Sequence, residues 1–402
     1  MTGPAIMLLR QLLATRTSVA TQRTIIDLLA RADTVQLNEM LADPVLTDRL
    51  LATVGDRWLG PDHHSELVEL LVIRRRDELD LPARAALIHA LQTGRTGPRD
   101  ERLICELLCS AQGNELTMLK CLIDATPNHN DLEELVYRDI DDHRLRQRIL
   151  DHIAEQAARV SGTEAKVLSD IDDTTICSLH DKRFPKGIVY PGAMALWQAL
   201  DEGPAGQPRT TGDLTFVTAR PADLFGWVED HTRRRLRDFG VKSSSMLTGS
   251  LIHLLSHSLM ANKKIEAIAH YHELYPEYRL IFIGDSGQGD VLVGQRLRAE
   301  YSGMVDAVLI HDVVTTPEEQ RIAHQANAIS YFDTYPGAAL TVFGLGLISL
   351  TGLQLVVAAT RLGFAEVTWE DPGQQARAEA LLQRDLARIE RAINRPTENA
   401  AR

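Results

Sequence analysis

From the first residues to about position 160, apolar side chains recur every three or four positions. The runs LLRQLLATR, QRTIIDLLARA, SELVELLVIRRRDEL, ARAALIHALQTG, DERLICELLCSA and LRQRILDHIAEQA each give a helix one apolar face, and Gly, Pro, Asp or Asn separates them. The pattern predicts an all-α domain over 1–160. Its helices arrive at roughly the spacing of helical-hairpin arrays but carry no fixed repeating signature. Stacked helices of this sort suit the binding of another protein. At Lys166 the period changes: KVLSD, LTFVTAR, KSSSML, RLIFIGD and DAVLIHD are short apolar runs that end in polar residues, with helical stretches between them. That alternation predicts a parallel α/β sheet over 161–335. Ligands of such sheets bind beyond the carboxyl ends of the strands, where several of these runs end in a carboxylate or a hydroxyl.

The remaining segment, 336–402, reads as helices packed on the α/β domain. Pro336 to Thr360 is uncharged over about 25 residues, long enough to cross a bilayer. Four glycines, several threonines, Gln354 and a break at Leu347-Ile348-Ser349, with Ser349 as a cap, favour two short buried helices. A membrane anchor is the alternative. From Gln374 a polar helix carries a stripe of Leu381, Leu382, Leu386, Ile389 and Ile393, which is expected to dock on the α/β domain.

Charge and cysteine use narrow the partners. A net charge of -12, from 55 acidic and 43 basic residues, is spread along the chain and repels phosphate backbones, so nucleic acid is not an expected partner. Cys105, Cys109, Cys121 and Cys177 form no CxxC pair and read as reduced, structural thiols. MLLRQLLATR is broken by charge and lacks a small-residue cleavage site, so it does not read as a signal peptide. A cytoplasmic location is expected, with membrane contact open through 336–360.

Four pieces carry chemistry. The first is Val167 to Thr174, an apolar strand running into Asp170-Ile171-Asp172-Asp173-Thr174, or DxDxT. Two carboxylates two residues apart past a strand end can face one phosphorus: Asp170 to attack, Asp172 to protonate the leaving oxygen and later deprotonate water. An acidic turn is the plain alternative. The same letters at Asp139-Ile140-Asp141-Asp142 lack the threonine, the strand and downstream partners, and read as a capped helix start. The second piece is Leu214 to Thr218, a strand ending in a hydroxyl that can donate to a phosphoryl oxygen. The third is Asn262-Lys263-Lys264-Ile265, where a lysine near a helix start can neutralise nucleophile and phosphate. Lys264 is the better placed because Ile265 and Ile268 turn inward on the same helix, while Lys263 stays open. The fourth is Leu280 to Asp290, an apolar strand followed by GDxxxxD, in which Asp285 can reach a hard cation such as magnesium and Asp290 can hold the loop or a metal-bound water.

In order and spacing these pieces resemble the haloacid dehalogenase (HAD) superfamily. The resemblance implies a Rossmann-like parallel sheet with a minimal cap. It also implies Mg2+ held by the Asp170 carboxylate, the Asp172 main-chain carbonyl and Asp285, and an aspartyl-phosphate on Asp170. Asp172 is then the general acid and base, with Thr218 and Lys264 securing the phosphoryl group. More narrowly, SDIDDT at 169–174, VYPGAMALWQAL at 189–200, the spacing from Lys264 to Tyr275-Pro276 and FIGDSGQGD at 282–290 are similar to the phosphatidate phosphatase catalytic domain named after the yeast actin patch protein. VTARPADLF stands where that branch has a serine-rich stretch, and IHDV at 310–313 replaces IRDV, so His311 stands where an arginine would meet the substrate. Thr174, Lys263 and His311 are the further residues expected at the substrate.

The loop Cys177 to Tyr190 is too short for a large cap, and 221–262 reads as helix, strand and helix of the core. An open site suits a large or surface-borne phosphate, and Lys182, Arg183 and Lys186 are expected to meet an anionic substrate. His253 and His257 share a helix face without a third ligand and read as structural. The expected function is Mg2+-dependent hydrolysis of a phosphomonoester, phosphatidate first. The alternatives are a phosphatase for nucleic-acid ends or phosphoproteins, or a partner-dependent effector that carries such a domain.

Overall fold

A computed structural model describes residues 3–14, 18–55, 62–93, 96–124, 131–160, 165–206, 214–218, 245–248 and 257–394, with the backbone alone for 214–218, 245–248 and 257–260. The chain divides into two compact units, Met1–Ser161 with Glu273–Pro276, and Gly162–His272 with Glu277–Arg402.

Among the described residues the first unit has helices and no strand, from Pro4–Leu13 to His143–Ala157. Its helices start where the polar breaks lie. Ser18, Asp33, Asp62, Asp80, Asp131 and Asp142 each accept a backbone N–H of the helix they precede, a bond typically worth about 1 kcal/mol. Leu9, Ile25, Leu37, Leu50, Leu71 and Ile104 are fully buried in its core. Two short π-helical runs, Glu69–Arg74 and Leu135–Asp139, interrupt the α-helical pattern.

The second unit is an α/β domain on six parallel strands: β1 (Ala165–Ser169), β2 (Leu214–Thr218), β3 (Ser245–Thr248), β4 (Arg279–Asp285), β5 (Val305–His311) and β6 (Ile329–Phe332), in the order β3-β2-β1-β4-β5-β6. The five apolar runs supply the first five strands. β6, ISYF, is short and only half buried, too weak a pattern to stand out in the sequence. β1 is buried at every position because both faces of the sheet are covered.

One face packs on the helices Ala193–Glu202, Tyr335–Gly344 and Leu350–Ala365 through Trp197, Ile281, Tyr335, Val342 and Leu353. The uncharged stretch is thus two helices, and Ser349 caps the second by accepting the Gly352 N–H at 3.0 Å. No helix among the described residues is long and apolar enough to cross a membrane. The last helix, Pro372–Ile393, buries Ala378, Leu382, Leu386 and Ile389. Leu381 is only half buried and Ile393 is 40% exposed, so the docked stripe starts a turn earlier than the sequence pattern indicates.

Candidate active site

Strand order reverses at β1, whose neighbours β2 and β4 lead to opposite halves of the sheet, so a crevice opens beyond the carboxyl ends of β1 and β4. Asp170 and Asp285 stand there. Asp170 directly follows β1, and its N–H donates to the Ile283 carbonyl at 2.9 Å. Asp285 is the last residue of β4, one residue past the level of Asp170, since Ser169 pairs with Ile283. Asp290 opens the helix Asp290–Glu300 and folds back so that its Oδ2 accepts the Asp285 N–H at 3.3 Å. That return requires Gly284, where a Cβ would lie 2.5 Å from Asp290 Oδ2.

The helix His257–Leu274 delivers the cation. Lys264 is 5% exposed, and its Nζ lies 2.6 Å from Asp290 Oδ1 and 3.2 Å from Asp170 Oδ1. Lys263 is half exposed, so Lys264 is the lysine the fold brings to the carboxylates.

Burial pushes the Asp170 carboxyl up to about 7; Lys264 draws it down, while Asp290 and Asp172 push it further up. Asp285 is raised by burial and then by Asp290 and Asp170. Burial opposes the Lys264 charge, but Asp170 and Asp290 outweigh it and hold the ammonium above the usual lysine range.

Carboxylate oxygens of Asp170, Asp285 and Asp290 lie within 4.8 Å of one another. At an effective dielectric of about 20, each ionised pair repels by about 3 kcal/mol or more. One lysine leaves two negative charges uncompensated, which a hard divalent cation with oxygen ligands would balance. The donor set fits such an ion.

Asp172 is half buried, and its Oδ1 accepts the Ser178 hydroxyl at 2.8 Å. Thr174 is fully buried, its carbonyl accepts the Tyr335 hydroxyl, and its own hydroxyl has no partner among the described residues. Thr175 instead braces the end of β1, its hydroxyl donating to the Asp170 carbonyl at 3.0 Å. Thr218 ends β2, two residues past the partner of Ser169 and so at the same edge of the sheet. Its side chain lies outside the described residues, as does His253; of His257 only the backbone is described.

Two sequence expectations are corrected. His311 is 1% exposed, with Nδ1 2.8 Å from the Asp173 carbonyl and Nε2 2.9 Å from Arg183 Nη2. Arginine can only donate, so Nε2 accepts and Nδ1–H donates to the carbonyl. The ring stacks on Phe332, and burial, followed by Arg183, lowers its pKa to about 4. Both nitrogens are therefore occupied, and His311 pins the loop that follows β1. Arg183 is likewise engaged: its Nε and Nη2 grip both oxygens of buried Asp181 at 3.0 and 2.8 Å. Lys186 reaches the Asp181 carbonyl at 3.1 Å, while exposed Lys182 makes no hydrogen bond to that aspartate.

Sequence reasoning missed Asp173. Its φ of +56° is rare for a residue with a side chain. The turn lets its carboxylate accept the N–H groups of Ser178, Leu179 and His180 at 2.8, 3.0 and 2.5 Å, with His180 Nδ1 at 3.2 Å. The doubled aspartate after DxD was the available signal.

A crevice at a strand-order reversal, edged by the DxDxT and GDxxxxD carboxylates and a buried lysine, is the candidate site of this α/β domain. More narrowly, residues 165–312 match the family described as phosphatidate phosphatase APP1, catalytic domain, a HAD-like phosphatase domain. The match runs from β1 to Asp312 and leaves the helical unit and the C-terminal helices outside it. A search of curated proteins finds no match. Among solved structures, an O-GlcNAc transferase mutant from Thermobaculum terrenum aligns over 97% of this chain and 95% of its own at 12% identity, but a TM-score of 0.18 carries no structural argument.

Proposed function

We propose that this protein is a Mg2+-dependent phosphomonoester hydrolase of phosphatidate-like lipids, acting through an aspartyl-phosphate on Asp170. The observation that carries the reading is Lys264 Nζ held 3.2 Å from Asp170 Oδ1 inside the Asp170–Asp285–Asp290 cluster. A buried ammonium counters the upward push of burial on the Asp170 carboxyl and offers a charge for the incoming phosphoryl oxygens. Mg2+ would be held by the Asp170 and Asp285 carboxylates and the Asp172 main-chain carbonyl, with Asp290 beside them; when bound it offsets the repulsion between carboxylate and phosphate.

An Asp170 oxygen attacks phosphorus while the bond to the leaving oxygen breaks, and Asp172 gives that oxygen its proton. Water then attacks the phosphorus, the bond to Asp170 breaks, and Asp172 takes the proton of the water. Thr218, at the end of β2, and Lys264 hold the phosphoryl group through both steps. The lipid substrate rests on the family match, and the protein's approach to a bilayer is through its surface, with exposed Lys182 near the site loop.

The test is phosphate release with Mg2+, with and without chelator, from short-chain phosphatidate, p-nitrophenyl phosphate, a phosphopeptide and a 3′-phosphorylated oligonucleotide. Turnover of phosphatidate that stops with chelator is expected. Chelator-resistant turnover would sink the metal, and activity confined to the peptide or the oligonucleotide would sink the lipid assignment.

A further inference from the structure

We infer that Leu179 and Val314 form a paired apolar rim through which the site seats on a lipid surface. The inference rests on the proposed function and names how a phosphate held at a bilayer reaches Asp170.

A single exposed apolar side chain needs no explanation, because apolar atoms make up much of any folded surface. Leu179 and Val314 are 58% and 48% exposed, and their setting is less ordinary. They come from different loops, one after β1 and one after β5, at the edge of the sheet where the crevice opens. His311, the last residue of β5, pairs with Asp285, so the second loop begins at the level of the site. Both loops are tied to the turn that follows Asp285. The Val314 N–H donates to Ser286 Oγ at 3.3 Å, beside the Val313 N–H at 2.9 Å. The ring of His180, next to Leu179, lies against Gly287, where a Cβ would come within 2.8 Å of it. Ser286 and Gly287 directly follow the site aspartate, so both tips border one turn.

Neither loop is slack. The Asp173 carboxylate accepts the N–H groups of Ser178, Leu179 and His180 at 2.8, 3.0 and 2.5 Å. Asp312 accepts the Ser286 hydroxyl and the N–H and hydroxyl of Thr316, each at 2.9 Å. Two buried carboxylates thus fix backbone turns that present a leucine and a valine to solvent. A fixed tip loses little conformational freedom on entering an apolar phase, so more of the transfer free energy appears as binding.

Charge leaves the attachment to these tips. The net charge of -12 repels an anionic bilayer. Exposed Lys182, three residues past Leu179, gives a local cation for a head group, but an exposed cation is screened at physiological salt. Binding is therefore expected to vary little with salt. Phosphatidate joins its phosphate to its acyl chains through a glycerol unit alone, so a crevice that takes the phosphorus brings its rim to the bilayer interface.

The experiment compares the wild type with Leu179→Ser/Val314→Ser, with the apolar pair Leu179→Met/Val314→Ile, and with Val45→Ser, an exposed apolar position of the helical unit. Phosphate release is measured from long-chain phosphatidate in phosphatidylcholine vesicles, from short-chain phosphatidate below its micellar concentration, and from p-nitrophenyl phosphate. Flotation with the same vesicles reads binding. The serine pair is expected to lose about 10- to 100-fold in vesicle turnover and vesicle binding while staying within about twofold on both soluble substrates, since interfacial binding scales with the apolar area buried. The Met/Ile pair and Val45→Ser should match the wild type throughout. Unchanged vesicle turnover and binding in the serine pair, an equal loss on p-nitrophenyl phosphate, or the same loss in Val45→Ser would overturn the rim and leave the proposed function standing. A wild type that hydrolyses p-nitrophenyl phosphate but neither form of phosphatidate would overturn the lipid part of the proposed function, and the rim with it.

Discussion

The letters Asp-Ile-Asp-Asp occur twice, at 139–142 and at 170–173, and the two copies have opposite fates. The first closes a π-helical run and starts a helix. Asp139 takes the Gln92 amide at 2.7 Å, Ile140 is fully buried, and Asp142 caps His143–Ala157 by accepting the Arg144 N–H at 2.8 Å. The second follows a central strand. Asp170 meets Lys264, Asp285 and Asp290, all contributed by elements that come later in the chain. Burial raises the carboxyl of both Asp139 and Asp170, yet only Asp170 has a buried cation and two further carboxylates beside it. Desolvation is shared; what separates the copies is what the sheet brings to the strand end.

The largest expected effect is the direct comparison of the two words. Asp170→Asn keeps size and removes the charge and the proposed nucleophile, and a loss of about 10^4-fold or more in kcat/KM is expected. Asp139→Asn should stay within about twofold on the same substrate, because its partner is a neutral amide. Phosphate release from both purified variants checks this. Comparable losses would mean that the first word also reaches the chemistry.

How much of this the sequence discloses follows from the range of the interactions. The strands β1, β2, β4 and β5 and the residues Asp170, Lys264, Asp285 and Asp290 are legible because strand ends and motif letters are local patterns. The preference for Lys264 over Lys263 is only partly legible: a helix turns Ile265 and Ile268 to the side of Lys264, but the letters alone leave Lys263 open, and the fold makes the choice. The role of His311 is not. Nothing local distinguishes a substrate-facing histidine from one whose two nitrogens are taken by the Asp173 carbonyl and Arg183, the latter from a loop far earlier in the chain. Asp173 hides for a similar reason, as its partners lie five to seven residues ahead in a loop without periodicity. β6 hides because a half-buried edge strand has no strong pattern.

A second test asks how firmly the second word is held. His311 has its pKa lowered from 6.5 to about 4. The folded chain therefore keeps it neutral down to about that pH, while the unfolded chain takes up a proton near the ordinary value. Stability from this group is full above about pH 6.5 and is lost as pH falls toward 4, by up to about 3 kcal/mol. Denaturant unfolding between pH 7.5 and 4.5 should show the loss, and a His311→Gln variant should show a shallower pH slope. An equal slope in the variant would mean that other groups set the acid limit, and that His311 is not the pin under Asp173.

The smallest effect separates the last letters of the two words. Asp173 is buried and accepts four hydrogen bonds, whereas Asp142 is exposed and its carboxylate accepts the Arg144 N–H. Asp142→Ala therefore removes one helix cap and no buried charge, and should cost about 1 kcal/mol. In a unit of this size that corresponds to a fall of about 2–4 °C in the thermal midpoint. The Asp142 N–H still reaches Glu101, at 2.9 Å, since that bond needs only the backbone. The site carboxylates belong to the other compact unit, so kcat/KM should be unchanged while the melting transition moves. A variant that melts normally but loses activity would reverse the assignment of the two words, because it would show Asp142 acting on the chemistry and not on the start of its helix.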